Sequence, residues 1–140
     1  MCSSDLTERA VASIAAFDRS TLPPVYRTGL DAIVASACEP TAIALEQLET
    51  AVTVHDDPEG LFFYGTAMIS VGAIERGLDV IEQNVLGGYA AVNLLEHCFA
   101  FDVVRGTPRF DRILTGARRR NDRARSIFKQ GGGATLLGMH

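Results

Sequence analysis

Apolar residues at helical spacing predict two antiparallel helices between residues 58 and 86. Asp57 is suited to cap the first helix, and Pro58 suits its first helical position. Gly72 separates the two apolar stripes, and Gly87 ends the second. The stripes consist of Leu61, Phe62, Tyr64, Met68, Ile69 and Val71, and then of Ile74, Leu78, Val80, Ile81 and Val85.

A small residue followed four positions later by a large apolar one recurs at steps of 33 and 34 residues. The pairs are Gly77 with Ile81, Ala44 with Leu48, and Ala10 with Ile14. A near-constant period of this length is typical of helical repeats. We therefore predict a second helix pair at residues 25–54 and a lone helix at residues 7–17.

Two glycines lie inside the predicted helices, where each costs about 1 kcal/mol relative to alanine. We expect another backbone to pass close to Gly65 and Gly77. In a 34-residue unit with Gly72 at position 15, these two small residues fall at positions 8 and 20, and Ile81 falls at position 24. In this pattern the chain resembles the tetratricopeptide repeat. Position 27, small in that family, is Asn84.

The resemblance implies an all-α solenoid over residues 7–87, in which the first helix of each pair lines a concave surface. Members of the family bind proteins or peptides on that surface, so the expected partner is a protein or peptide. By register, the residues expected to line the groove are Tyr26, Ile33, Phe62, Thr66 and Ile69.

Residues 88–140 are predicted to form a helical capping subdomain, because the last repeat would otherwise expose its apolar face. A helix is predicted over residues 89–99. Thr107 followed by Pro108 marks the start of a long helix that reaches about Lys129. The buried stripe of this long helix is predicted to be Phe110, Ile113, Leu114, Ala117, Ala124, Ile127 and Phe128.

The segment before the long helix carries a second resemblance. It reads D-x-x-R-G-x-P-R-F and is similar to the carboxy-terminal tail of bacterial multidomain signalling proteins, in which a protein kinase or adenylate cyclase-type module precedes tetratricopeptide repeats. Arg105 is expected to tie the turn to a helix C-terminus or to a carboxylate such as Asp102. The matching residues are Asp102, Arg105, Gly106, Pro108, Arg109 and Phe110.

Charge is divided unevenly along the 140 residues, although the net charge is only −4. Between Arg105 and Lys129 there are nine basic and two acidic residues, whereas the remainder holds four basic and fifteen acidic residues. The arginines of this basic helix either form a solvated face or bind an anion. No aromatic residues are interleaved among Arg118, Arg119 and Arg120 to stack bases, so nucleic acid is the less favoured partner.

Candidate catalytic or metal-binding groups are few. His97 and Cys98 are adjacent, so on a helix their side chains point about 100° apart and do not face each other. His55 and Asp56 lack further ligands at the spacing of a metal site. Glycines 131–133 stop a helix, since no Lys-Ser/Thr pair follows them. The sequence therefore predicts no catalytic residues, no cofactor and no metal.

Composition limits the classes of protein to which the chain can belong. With 47% hydrophobic residues, the chain is not expected to be mainly disordered. No apolar run reaches the roughly 18–20 residues of a membrane span. Three cysteines at wide spacing are expected to be reduced thiols in a cytoplasmic protein. Residues 1–6 resemble a translated adapter remnant, so we expect a non-native start there and a longer natural chain upstream.

The function expected from these features is protein–protein interaction, in the regulatory or scaffolding tail of a larger bacterial protein. No catalysis is expected from these residues. Two alternatives stay open at this point. One is a non-catalytic fragment of a kinase or adenylate cyclase whose catalytic part is missing. The other is a nucleic-acid binder that uses the basic helix and loses affinity steeply with salt.

Overall fold

The computed structural model of the chain is helical, and it describes residues 8–9, 12–14, 16, 18–39 and 41–138. Residues 18–39 and 41–138 contain seven α-helices, and no strand occurs in any described residue, which confirms the all-α class. Two short 3-10 turns, Arg19–Thr21 and Phe99–Phe101, complete the regular structure. The helices are α1 (Pro24–Cys38), α2 (Thr41–Val54), α3 (Pro58–Ser70), α4 (Ile74–Leu86), α5 (Val92–His97), α6 (Pro108–Gln130) and α7 (Gly133–Leu136).

The lone helix predicted at residues 7–17 lies partly outside the described residues. Residues 8–9, 12–14 and 16 are described, and all of them are helical. Ile14 is half-buried, and the other five are exposed. Residues 1–6, where a non-native start is expected, also lie outside the described part of the chain.

Helices α3 and α4 pack closely as a hairpin. Asp57 caps α3 by accepting a hydrogen bond from Gly60 N at 2.6 Å. Gly72 turns the chain with φ +91°, a left-handed conformation that favours glycine. A Cβ atom at Gly77 would lie 2.6 Å from the carbonyl oxygen of Gly65. The close approach of the two backbones predicted at these glycines is therefore confirmed.

The same hairpin forms the middle layer of the fold. On one side, α1 contacts α2 and α3, and α2 contacts α3. On the other side, α4 contacts α6, and α3 contacts the turn Phe99–Phe101. Two cores result. The N-terminal core comprises Ala32, Leu48, Ala51, Tyr64, Ala67, Met68 and Val80. The C-terminal core comprises Phe62, Ile69, Leu78, Ile81, Val85, Leu95, Phe101, Val104, Phe110, Ile113 and Ala117.

Polar contacts connect the helices, one between the two pairs and one within the second pair. Arg76 of α4 donates two hydrogen bonds to Glu49 of α2, each 2.7 Å long, and this hydrogen bonding raises the pKa of Arg76. Asn84 Nδ2 donates to the carbonyl oxygen of Pro58 at 2.6 Å. A small side chain at position 84 could not reach this carbonyl. The departure of Asn84 from the family pattern therefore has a structural reason.

The cap contains α5, α6 and α7. Helix α5 spans only Val92–His97, although residues 89–99 are predicted to be helical. It is short because Ala91 before it has a non-helical ψ of 62°, and Cys98 after it is extended, with φ −69° and ψ 127°. Helix α6 begins after Thr107, whose side chain accepts a hydrogen bond from Phe110 N at 3.4 Å. The bounds of α6, Pro108–Gln130, agree closely with the prediction.

The buried stripe predicted for α6 is correct only in its first half. Phe110, Ile113 and Ala117 are buried in the C-terminal core, and Leu114 is packed against it. The stripe is wrong at Ala124, Ile127 and Phe128, which are exposed. The C-terminal core has no member on α6 beyond Ala117, so the second half of the helix extends past it.

Among the helices that the structure describes, none combines the length and the apolarity needed to cross a membrane.

Candidate functional site

The five residues predicted to line a concave groove do not share one open surface. Tyr26 is 53% exposed, and Ile33 and Thr66 are half-buried. Phe62 and Ile69, in contrast, are only 2% and 3% exposed and belong to the C-terminal core. At these two positions the prediction is corrected, because a buried side chain cannot line an open groove.

Aromatic rings of the cap cover the predicted groove at α3. The ring of Phe62 lies 5.6 Å from that of Tyr89 and 5.9 Å from that of Phe101, measured between centroids. Phe101 packs in turn on Phe110 at 5.4 Å. Burial raises the pKa of Tyr89. The rings of Tyr89 and Phe101 therefore cover Phe62 on the face of α3 that the resemblance assigns to a ligand.

Arg105 joins the turn before α6 to the end of α5. Its guanidinium donates hydrogen bonds to the backbone carbonyl oxygens of Leu95, Glu96 and Cys98. It also donates to Asp102 Oδ1 at 2.8 Å. Carbonyl groups at a helix C-terminus lack partners within the helix and attract a cation. Both contacts expected of Arg105, to a helix C-terminus and to Asp102, are confirmed.

Arg109 holds the first turn of α6 against α4. Its guanidinium donates to Asp79, to Glu82 Oε2 at 3.0 Å and to Glu75 Oε2 at 2.7 Å. These hydrogen bonds raise the pKa of Arg109, and the one to Asp79 contributes most. These partners were not predicted from the sequence. The available signal was the recurrence of acidic residues at steps of four and three along α4, which places them on one helix face.

The remaining motif residues complete this connection. Gly106 has φ +78°, which allows the sharp turn between Arg105 and α6. Pro108 occupies the start of α6, and Phe110 is fully buried. The motif residues brought together here therefore anchor α6 to α4 and α5.

A buried polar pair that was not predicted from the sequence lies beneath α1. His55 Nδ1 and Tyr64 Oη are 3.1 Å apart, at hydrogen-bonding distance. A Cβ atom at Gly29 would overlap this hydroxyl group, so glycine makes room for the pair. Burial, followed by the charge of Asp57, raises the pKa of Tyr64. The sequence signal was a glycine inside a predicted helix, as at Gly65.

An open groove lies between the two helix pairs, and we call it the inter-pair groove. Its volume is about 450 Å³, and residues of α2, of the start of α3 and of α4 line it. The predicted groove, in contrast, lies on the first helices alone, α1 and α3. The apolar part of its lining consists of Val52, Pro58, Leu61 and Val80, and the charged part of Asp56 and Arg76.

A second groove of about 530 Å³, which we call the arginine groove, lies along the second half of α6. We call this half, which extends past the C-terminal core, the free half. One side is formed by the turn at Gly88, which follows α4. The rest is formed by side chains of α6. Its lining consists of Gly88, Arg119, Arg120, Arg123, Ala124 and Ile127.

Other candidate chemistry does not form a site in the described residues. His97 is exposed, whereas the neighbouring Cys98 is half-buried against the C-terminal core. His55 packs between the rings of Tyr26 and Tyr64. Across the described ranges, no three His, Cys, Asp or Glu residues form a group that could hold a metal ion.

No protein-family model, no curated protein and no solved structure matches the chain. The resemblance to tetratricopeptide repeats therefore rests on the residues and on their packing.

Proposed function

We propose that this chain is a protein-interaction module built of tetratricopeptide-like helix pairs and closed by a C-terminal cap. In this proposal it is the regulatory or scaffolding tail of a larger bacterial protein of the cytoplasm. The observation that carries the proposal is the inter-pair groove, an open apolar cleft with a charged rim.

The packing of the pairs supports a solenoid. Helix α1 contacts its own partner α2 and also α3, the first helix of the next pair. Helix α3 contacts α2 before it and α4 after it. Each pair therefore packs against its neighbour in sequence, which is how repeat proteins form one continuous core. The backbone contact between Gly65 and Gly77 occurs where the family pattern has small residues.

The inter-pair groove has the dimensions of a binding cleft. Its volume of about 450 Å³ falls within the usual range for ligand sites, and Val52, Leu61 and Val80 give it an apolar floor. Arg76 on the rim is neutralised by Glu49, whereas the carboxylate of Asp56 has no ion-pair partner among the described residues. The groove therefore suits a partner segment that inserts an apolar side chain next to a Lys or Arg.

The test begins with a photo-crosslinking amino acid at Gln83, which also lines the groove. The full chain is crosslinked in a bacterial lysate, and the captured segment is identified and synthesised as a labelled peptide. Its affinity is then measured by fluorescence anisotropy for the native chain and for two tryptophan variants. Gly87→Trp fills the groove, whereas Gly131→Trp is the matched control.

The control is close because both glycines end a helix with a negative φ, −69° at Gly87 and −79° at Gly131. We expect Gly87→Trp to weaken binding by at least about tenfold and Gly131→Trp by less than about twofold. The peptide should contain an apolar residue beside a basic one. Equal affinities of the native chain and Gly87→Trp, or equal losses in the two variants, contradict the proposal.

A further inference from the structure

We propose that the arginine groove binds an acidic segment of a partner protein, in which Asp or Glu residues flank an apolar side chain. This inference rests on the proposed function, protein interaction, but assigns it a second surface with a different partner chemistry.

The arginines of the groove are free of ion pairs in the part of the chain that the structure describes. Arg109 and Arg118 of the same helix are bound by carboxylates, Arg118 by Glu96 at 2.7 Å. Arg119, Arg120 and Arg123 are exposed and have no such partner among the described residues. Three uncompensated cations on one groove attract an anionic ligand.

The spacing suits a short peptide segment. Arg119, Arg123 and Ile127 recur every fourth residue, which places them on one face of α6. With 1.5 Å of rise per residue, this face is about 12 Å long. An extended chain covers that distance in about four residues. Two carboxylates and one apolar side chain can therefore meet two arginines and Ile127 at once.

The lining favours a protein segment over other anions. Ala124 and Ile127 supply apolar surface beside the arginines, and a phosphate backbone has no apolar group to place there. Among the described residues, no aromatic side chain lines the groove to stack a base. A bilayer surface is flat on this scale and cannot enter between α6 and the turn at Gly88. An acidic segment with an apolar residue matches both halves of the lining.

The probe is a fluorescein-labelled peptide of four Glu-Glu-Leu repeats, which we call the Glu-Leu peptide. Its control is the Glu-Ser peptide, which has four Glu-Glu-Ser repeats and equal charge. Binding to the full chain is measured by fluorescence anisotropy. The groove variant carries Arg119→Gln, Arg120→Gln and Arg123→Gln. The control variant carries Arg27→Gln, Arg125→Gln and Lys129→Gln, three exposed positions outside the groove, so the net charge changes equally. Circular dichroism verifies that both variants are helical.

The inference predicts that the Glu-Leu peptide binds at least about tenfold more tightly than the Glu-Ser peptide. The groove variant should lose about tenfold in affinity for it, and the control variant less than about threefold. Equal losses in the two variants overturn the inference, because general charge attraction then explains the binding. Equal affinity for the two peptides, or no binding of the Glu-Leu peptide, overturns it as well.

Three further arms identify other occupants. The first two arms replace the peptide with duplex DNA or with phosphatidylserine vesicles. If either binds the native chain more tightly than the Glu-Leu peptide does, and the groove variant no longer binds it, the groove belongs to a polyanion or to a membrane surface. Sedimentation that shows a dimer of the native chain and a monomer of the groove variant assigns it to a second copy. Each result overturns the inference. The Gly87→Trp experiment concerns other residues, so its success or failure remains separate.

Discussion

The two halves of α6 share one helix and one apolar period, but they differ in how the rest of the molecule holds them. In the first half, Phe110 is fully buried and Arg109 is bound by three carboxylates of α4. In the second half, Ile127 and Phe128 are 59% and 46% exposed. The comparison shows that an apolar stripe indicates which face of a helix can be buried. Distant partners decide how far along the helix that burial continues.

The free half remains helical because the anchored half nucleates it. Starting a helix is unfavourable, whereas adding a residue to an existing one costs little. The second half is also rich in arginine and includes Ala124, and both arginine and alanine favour helix formation. The anchored half therefore supports a basic surface that stands away from both cores.

The largest expected effect is that of Phe110→Ala. Removing a fully buried ring should lower the free energy of unfolding by about 3–5 kcal/mol. The same change at the exposed ring of Phe128 should cost less than about 1 kcal/mol. Urea unfolding followed by circular dichroism measures both values. Similar losses at the two positions would show that the second half is anchored after all.

A smaller effect is expected for Arg109→Gln. The variant leaves Glu75, Asp79 and Glu82 on one face of α4 without their cation. We therefore expect the free energy of unfolding to fall by about 1 kcal/mol. Arg119→Gln should change the free energy of unfolding by less than about 0.5 kcal/mol. In 1 M NaCl the difference between the two variants should shrink, since salt screens exposed charges. A difference that persists unchanged in salt contradicts the ion-pair explanation.

A substitution that keeps the charge separates geometry from electrostatics. In Arg105→Lys the ammonium group cannot reproduce the planar contacts with Asp102 and the carbonyl groups at the end of α5. We expect the melting temperature to fall by about 3–5 °C. Arg125→Lys, in the free half, is the matched control and should melt with the native chain. An unchanged melting temperature in Arg105→Lys would mean that the anchor needs only a positive charge.

The smallest effect is predicted for shortening the free half. A chain that ends at Asn121 lacks the exposed part of α6 and all of α7, but it retains both cores. Its free energy of unfolding should stay within about 0.5 kcal/mol of the native value in a urea titration. A loss of several kcal/mol would reveal that the residues beyond position 121 support the fold.

Features set by local sequence were predictable. The cap at Asp57, the turn at Gly72 and the start of α6 at Thr107 follow from the preferences of single residues and occur as predicted. The contact between Gly65 and Gly77 was also predictable, because a glycine inside a helix is costly unless another backbone needs the space.

Features set by distant residues were not predictable. The ring of Phe62 follows a helical period whether it faces a ligand or Tyr89 and Phe101, and only the fold distinguishes the two cases. The partners of Arg109 lie about 30 residues before it in the sequence, on another helix. The exposed end of the stripe on α6 likewise depends on where the C-terminal core stops.

Hydrogen exchange of the full chain, followed by mass spectrometry, tests most directly that α6 is anchored in its first half and free in its second. We predict that amides of residues 112–117 exchange at least about 100-fold more slowly than those of residues 122–130, because opening the first half disrupts the C-terminal core. Adding the Glu-Leu peptide should slow exchange around Arg119, Arg120 and Arg123. Equal protection of the two halves in the chain without peptide would contradict the account.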